Sequence, residues 1–329
     1  MSTRSRVYAI VAAACLAAAG AAAGVALTAG GESRPPPREG NAPLELDVGV
    51  RGDPRAVGLR RAETLYAHGR VDRARNIFLR YGPESLQARV GLEVSNWSAA
   101  SSSGSREVAL RRLWALARSH PHRAVTWLNL GFVLFWERKN AQALAAWREA
   151  KRMQPDSPFA VRADDLLHPR YNRGYPTFVP SFQPPRFLTR LGPRRQLEAL
   201  AKQARRPDIR AKLLYGVALQ RLGRPVSGER MFVGAAALAP GDPDAQVAAA
   251  VGRFDKDHPE RAFSRLGPLT RRFPRASTVR FHLGLLLLWL GQVNEGTRQL
   301  RLARAEAPRS PLGEEAFEYL RRLNAVAKR

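Results

Sequence analysis

Residues 127–136 read WLNLGFVLFW. Four aromatics, three leucines and a valine surround one asparagine and one glycine, and no charge falls within the ten residues. Three structures accommodate such a run: a buried strand, a membrane dip, or a helix with two apolar faces. The choice turns on whether its spacing recurs elsewhere in the chain.

It does recur. Gly131, Trp147, Ala150 and Pro155 are matched 153 residues later by Gly284, Leu300, Ala303 and Pro308. At the same offset Trp136 meets Trp289, Pro121 meets Pro274, Ala109 meets Ala262 and Leu113 meets Leu266. Tryptophan and proline are infrequent, so these coincidences indicate an internal duplication. A shorter period lies inside each half: Pro240, Pro274 and Pro308 stand 34 residues apart, as do Pro121 and Pro155. That is the length of a helix–turn–helix unit, which must stack on neighbours to bury its apolar face. Proline at the end of each unit stops the second helix. WLNLGFVLFW therefore reads as a first helix.

The residues at these positions resemble the tetratricopeptide repeats. Trp127, Leu130, Gly131, Leu134, Ala143, Trp147, Ala150 and Pro155 follow the pattern of that family over 124–157. Tyr215, Gly216, Gly223, Phe232, Ala235 and Pro240 follow it over 209–242, and Leu283, Gly284, Leu287, Gly291, Ala303 and Pro308 over 277–310. Weaker copies lie at 243–276, at 84–123 (lengthened within SNWSAASSSGS) and near 55–83. The resemblance implies an all-α helical-repeat solenoid in two duplicated arrays. SPFAVRADDLL (157–167) and SPLGEEAFEYLRRL (310–323) then read as polar-faced caps for the array ends.

Around the arrays the chain divides as follows. Residues 1–31 are a signal peptide or transmembrane anchor, 32–53 a Pro/Gly-rich linker, and 54–168 the first array with its cap. Residues 169–204 form a Pro/aromatic inter-array segment and a helix, and 205–329 the second array with its cap. In the first of these, Arg4 and Arg6 precede an uncharged run from Val7 to Gly31. At about 1.5 Å per residue the run is long enough to cross a bilayer core. It reads as an uncleaved anchor, a signal cleaved near Ala21-Ala22-Ala23, or a lipoprotein signal ending at Cys15. Each places the bulk of the chain outside the cytoplasm. The linker, GGESRPPPREGNAPLELDVGVRGD over 30–53, reads as an extended stalk, with RPPPR as a possible polyproline ligand. The segment 172–193, with five prolines, is not regular helix; it packs across the junction, enters a groove, or serves as a partner-binding loop.

Chemistry-bearing motifs are sparse. Cys15 is the only cysteine, so the remainder has no thiol for disulfides, metal or nucleophilic chemistry. No P-loop, GxGxxG, GxSxG or HExxH is present. His120-Pro-His122 falls at a turn without a third ligand. Asp242-Pro-Asp244 and Asp255-Lys-Asp257 match a loose Asp-x-Asp pattern of sugar transferases, but sit at helix joints where aspartate is favoured as a cap. Asn96-Trp97-Ser98 is a glycosylation sequon by pattern only. The expectation is a protein that is not an enzyme and has no cofactor or metal.

The surface carries the functional expectation. In the family that the sequence resembles, first helices line a groove. Carried onto this chain, that implies a partner-binding set of Asn129, Phe132, Phe135, Trp136, Phe281, His282 and Trp289, apolar and aromatic with few polar groups. Such an exposed patch signals protein or peptide partners, with aromatics as anchors. The pattern that clamps a peptide's C-terminal carboxylate is not reproduced, because Ala88 and Leu92 occupy two of its polar positions. The alternative follows from charge: 54 Lys+Arg against 28 Asp+Glu, only six of them lysine. An arginine-rich face suits anionic lipid or an envelope polymer, with a GC-rich codon bias as the competing account. No basic arm or RNA motif supports nucleic acid. A third reading is an accessory subunit of an envelope biogenesis enzyme.

Overall fold

The computed structural model describes residues 38–47, 49 and 51–327. The apolar run of 7–31 lies outside them. None of the described helices is long and apolar enough to cross a membrane. The described residues are helical apart from turns and two extended stretches, and fall into two compact units, the chain passing from one to the other between Leu167 and His168.

The first unit is three antiparallel helix pairs and a closing helix. These are α1 (Pro54–Ala67) with α2 (Val71–Tyr81), α3 (Leu86–Ala99) with α4 (Ser103–Ser119), and α5 (Ala124–Trp136) with α6 (Asn140–Met153), followed by α7 (Pro158–Leu167). The second unit opens with α8 (Arg186–Thr189) and α9 (Pro193–Ala204). The pairs α10 (Ile209–Arg221) with α11 (Pro225–Leu238), α12 (Pro243–Val251) with α13 (Glu260–Arg272), and α14 (Ser277–Trp289) with α15 (Val293–Glu306) follow, closed by α16 (Pro311–Ala327). Each unit is thus three pairs and a cap. The short α8 is a turn of helix inside the segment expected to have none; it starts just after Pro184-Pro185, where proline no longer interferes.

Local chemistry sets the boundaries. Asp53, Ser85, Ser102, Asp208 and Asp242 each accept a backbone N–H three residues on, capping α1, α3, α4, α10 and α12. In the α5–α6 and α10–α11 pairs a glycine lets the helices approach. A Cβ on Gly131 would overlap the Trp147 indole, and one on Gly216 the Phe232 ring. Both pairs stand 16 residues apart, which is why the family-like spacing is glycine then a bulky residue.

In four of the six pairs the joint takes a left-handed residue. Gly69, Gly223 and Gly291 supply it with φ of 74°, 66° and 74°. In the α5–α6 pair the same place is taken by Arg138 at φ 57°, the one non-glycine with positive φ among the described residues. An L-residue pays roughly 1–2 kcal/mol there. Arg138→Gly should therefore stabilise the first unit by about 0.5–1 kcal/mol, part of the relief being lost to the greater freedom of unfolded glycine. Chemical denaturation of the two proteins side by side reads this; a destabilised variant contradicts it.

Candidate functional site

The two grooves formed by the first helices are the candidate sites, and both are filled by the chain itself. In the first unit, residues 38–47 run as an extended strap antiparallel to α5. Arg38 N–H donates to the Trp136 carbonyl (2.7 Å) and its Nε to that of Phe135 (3.1 Å), with the guanidinium 4.0 Å from the Phe135 ring centre. Gly40 turns the chain at φ 78°. Ala42, Leu44 and Leu46 then point inward, and the first two are buried. The Tyr66 hydroxyl, buried and pushed well above the ordinary phenol range by that burial, donates to the Ala42 carbonyl (2.6 Å).

The strap's backbone is held by amide side chains. Glu45 N–H donates to Asn129 Oδ1 (2.9 Å), and Asn129 Nδ2 returns a bond to the Glu45 carbonyl (2.9 Å). Two residues on, Asp47 N–H donates to Gln87 Oε1 (3.1 Å) and Gln87 Nε2 to the Asp47 carbonyl (2.5 Å). A primary amide presents a donor and an acceptor side by side, so it mimics the edge of a neighbouring strand. Between them, Leu46 N–H donates to Glu63 Oε1 (2.8 Å). Burial raises the Glu63 carboxyl to about 7; the Leu46 bond opposes this, while Glu45 and Asp47 add to it. The Glu45 carboxylate pairs with Arg162 Nε of α7 (2.6 Å), whose guanidinium lies 5.9 Å from the Phe132 ring centre.

The second unit repeats the arrangement with residues 172–182. Gly174 turns at φ 75°, and Pro176 and Phe178 point inward and are buried. Phe178 stacks on His282 (5.0 Å, 21°) and meets Phe232 edge-on (5.7 Å). Its N–H donates to Gln220 Oε1 (3.1 Å). Val179 N–H donates to His282 Nε2 (2.9 Å), so the ring proton is on Nδ1, which donates to the Thr278 carbonyl (2.7 Å). Ser181 gives both its N–H (3.0 Å) and its hydroxyl (2.6 Å) to Asp244 Oδ2. Buried Lys256 donates to the Asn172 carbonyl (3.0 Å) across the face of Tyr175.

Within each unit the helix pairs follow a proline-marked period of 34 residues, a glycine packs against a bulky residue, and the first helices line a groove. The fold is that of the tetratricopeptide repeats. No protein-family model and no curated protein matches the sequence. Among solved structures the chain is similar to a tetratricopeptide repeat protein from Parabacteroides merdae, at 13% identity over 83% of this chain and 99% of that one, with a TM-score of 0.33. It is likewise similar to yeast Tom70, at 11% identity over 88% of this chain and 68% of that one, TM-score 0.31. The Pseudomonas aeruginosa protein pilF matches at 13% identity, 79% and 95% coverage and a TM-score of 0.25. The fold rests on the chain's own helix pairs and their 34-residue register.

Four of the seven residues of the sequence-derived set, Asn129, Phe135, Trp136 and His282, touch the straps. Asn129, Phe135 and Trp136 bond or stack directly on the first strap, and Phe132 underlies Arg162. His282 holds the second strap, Trp289 packs on Phe254 beside Tyr175 (5.7 Å), and Phe281 packs on Tyr319 (6.1 Å). The expected exposed aromatic patch is not open, however, because the chain's own straps cover it. The linker is correspondingly no free stalk over 38–47, since its alternating apolar residues find a surface. Glu63, Gln87, Arg162, Gln220 and Asp244 were missed. Of the Asp242-Pro-Asp244 pair only Asp242 caps the helix; Asp244 instead holds the strap through Ser181. Asp255 caps no helix either: it closes a turn on Asp257 N–H (3.0 Å). His120 bonds to Arg89 (3.2 Å) and to its own helix end.

Proposed function

We propose that this chain is a non-catalytic protein-interaction scaffold of the bacterial cell envelope, whose grooves hold extended segments of protein partners. The observation that carries the reading is the Asn129 amide pairing with both backbone groups of Glu45. A site that grips main chain in this way accepts an extended peptide of varied sequence, and pockets for alternate side chains then select among them. The apolar run 7–31 after Arg4 and Arg6 supports retention at, or export across, the membrane. Protease accessibility on intact cells tests that address; protection of the arrays would refute it.

Replacing residues 38–47 by a Gly/Ser linker should open the first groove. Crosslinked pull-downs from envelope fractions should then recover more partner protein than wild type, and adding Asn129→Leu should remove the gain while helicity is unchanged. Equal recovery by all three proteins would sink the reading.

A further inference from the structure

Resting on that reading, we infer that the first groove selects extended protein segments carrying a small residue, a leucine two positions later and a carboxylate directly after it. Residues 38–47 are a resident copy of this motif, which a partner must displace.

The selectivity follows from what each strap residue meets. Ala42 has no exposed surface and its carbonyl is fixed by Tyr66, so a larger side chain there displaces the backbone. Leu44 fills the next inward position. Asn129 and Gln87 read only main chain at residues 45 and 47, and so set the register without choosing a sequence. The carboxylate is read by Arg162, which is backed by Phe132 and only one-fifth exposed. A guanidinium held against a ring has lost much of its freedom before it meets the carboxylate, which favours binding.

The second strap serves as an internal comparison. Aligned on Gly40 and Gly174, it places Pro176 at Ala42, Phe178 at Leu44, Val179 at Glu45 and Ser181 at Asp47. Val179 offers no carboxylate, and His282, which stands 153 residues after Asn129, returns no donor to the strap. The second strap also buries a phenylalanine where the first buries a leucine. The first strap thus buries the smaller side chain, and its Glu45 and Asp47 carboxylates both act against the Glu63 carboxylate. A partner segment that keeps the small–x–Leu–Glu core and lacks the second acid escapes that repulsion.

The test is fluorescence anisotropy with a labelled peptide of residues 38–47 (REGNAPLELD) and the full-length chain whose own 38–47 is replaced by Gly/Ser. The peptide should bind this chain at least about tenfold more tightly than wild type, in which the tethered strap competes at high effective concentration. Arg162→Gln in the opened chain should weaken binding by about tenfold, the expected loss of a charge-assisted contact. A peptide with glutamine at the Glu45 position should bind both opened chains about equally. Should the replacement reduce the helical signal, the same titrations are made on Leu44→Asp in the otherwise intact chain. Glu and Gln peptides of equal affinity would overturn the carboxylate selectivity while leaving groove capture standing. No peptide binding by an opened chain of full helicity would overturn both.

Discussion

Phe178→Ala is expected to destabilise the second unit by about 3–5 kcal/mol, as for a phenylalanine removed from a helix core. The size is notable because Phe178 lies in no helix. Its side chain has no exposed surface, and it wedges between the His282 imidazole and the Phe232 ring. Phe232 in turn is the bulky residue that packs on Gly216, so the strap completes the same contact that closes the α10–α11 pair. Truncation leaves a cavity lined by an imidazole and a ring that cannot collapse together, since each is fixed by its own helix. It also removes the reason for Val179 N–H and Ser181 to stay on His282 and Asp244. The measurement is amide hydrogen exchange resolved by unit, because two units need not unfold as one. Thr177→Ala, one residue away and outward, is the control and should change stability by no more than about 0.5 kcal/mol. A loss below about 1 kcal/mol for Phe178→Ala would mean that the strap is a loose cover and not part of the core.

How much of this was legible follows from where the signal sat. The repeats were readable because Pro240, Pro274 and Pro308 mark the period and because Trp136 and Trp289 mark the duplication. Helical register, once set by glycine against a bulky residue, fixes every other face, and it puts Asn129 and His282 on the side where the straps lie. The straps were not readable that way. Their separation is 134 residues, against 153 for the arrays, because α8, α9 and their turns intervene in the second half only. Of the inward positions none is identical, and Gly40 with Gly174 is the only shared residue between REGNAPLELD and its counterpart NRGYPTFVPS. The readable clue was alternation: Ala42, Leu44, Leu46 and Pro176, Phe178, Pro180 recur every second residue, the period of an extended chain with one face against a surface. Proline content says that a segment is extended; it does not say whether that segment is solvated. Asp244 misled for a related reason. Asp242 and Asp244 both stand at the start of α12, and sequence alone does not show that a serine 63 residues earlier would reach the second of them.

Lowering the pH from 7 to 4 should weaken the second unit by about 3 kcal/mol through His282. Burial pulls this imidazole down to about 4; the bond to the Thr278 carbonyl and the nearby Asp244 carboxylate act the other way and are outweighed. In the unfolded chain the same group titrates near 6.5. Between those values the unfolded state holds a proton that the folded state does not, so stability falls as pH falls through the window. The structural reason is that Nε2 must stay unprotonated to accept Val179 N–H. Glu63 in the first unit has the opposite sign. Its folded value, raised to about 7, means that between 4.5 and 7 the folded state holds the extra proton, and stability falls as pH rises. The two straps should therefore respond oppositely: Val179 protection, corrected for intrinsic exchange, drops between pH 7 and pH 5, while that of Leu46 holds or rises. His282→Gln is the decisive variant, since a glutamine amide oxygen still accepts the Val179 bond but does not titrate. It should flatten the acid response of the second strap and leave that of the first unchanged. An undiminished acid response in this variant would place the titrating group elsewhere and remove His282 as the strap's pH-sensitive hold.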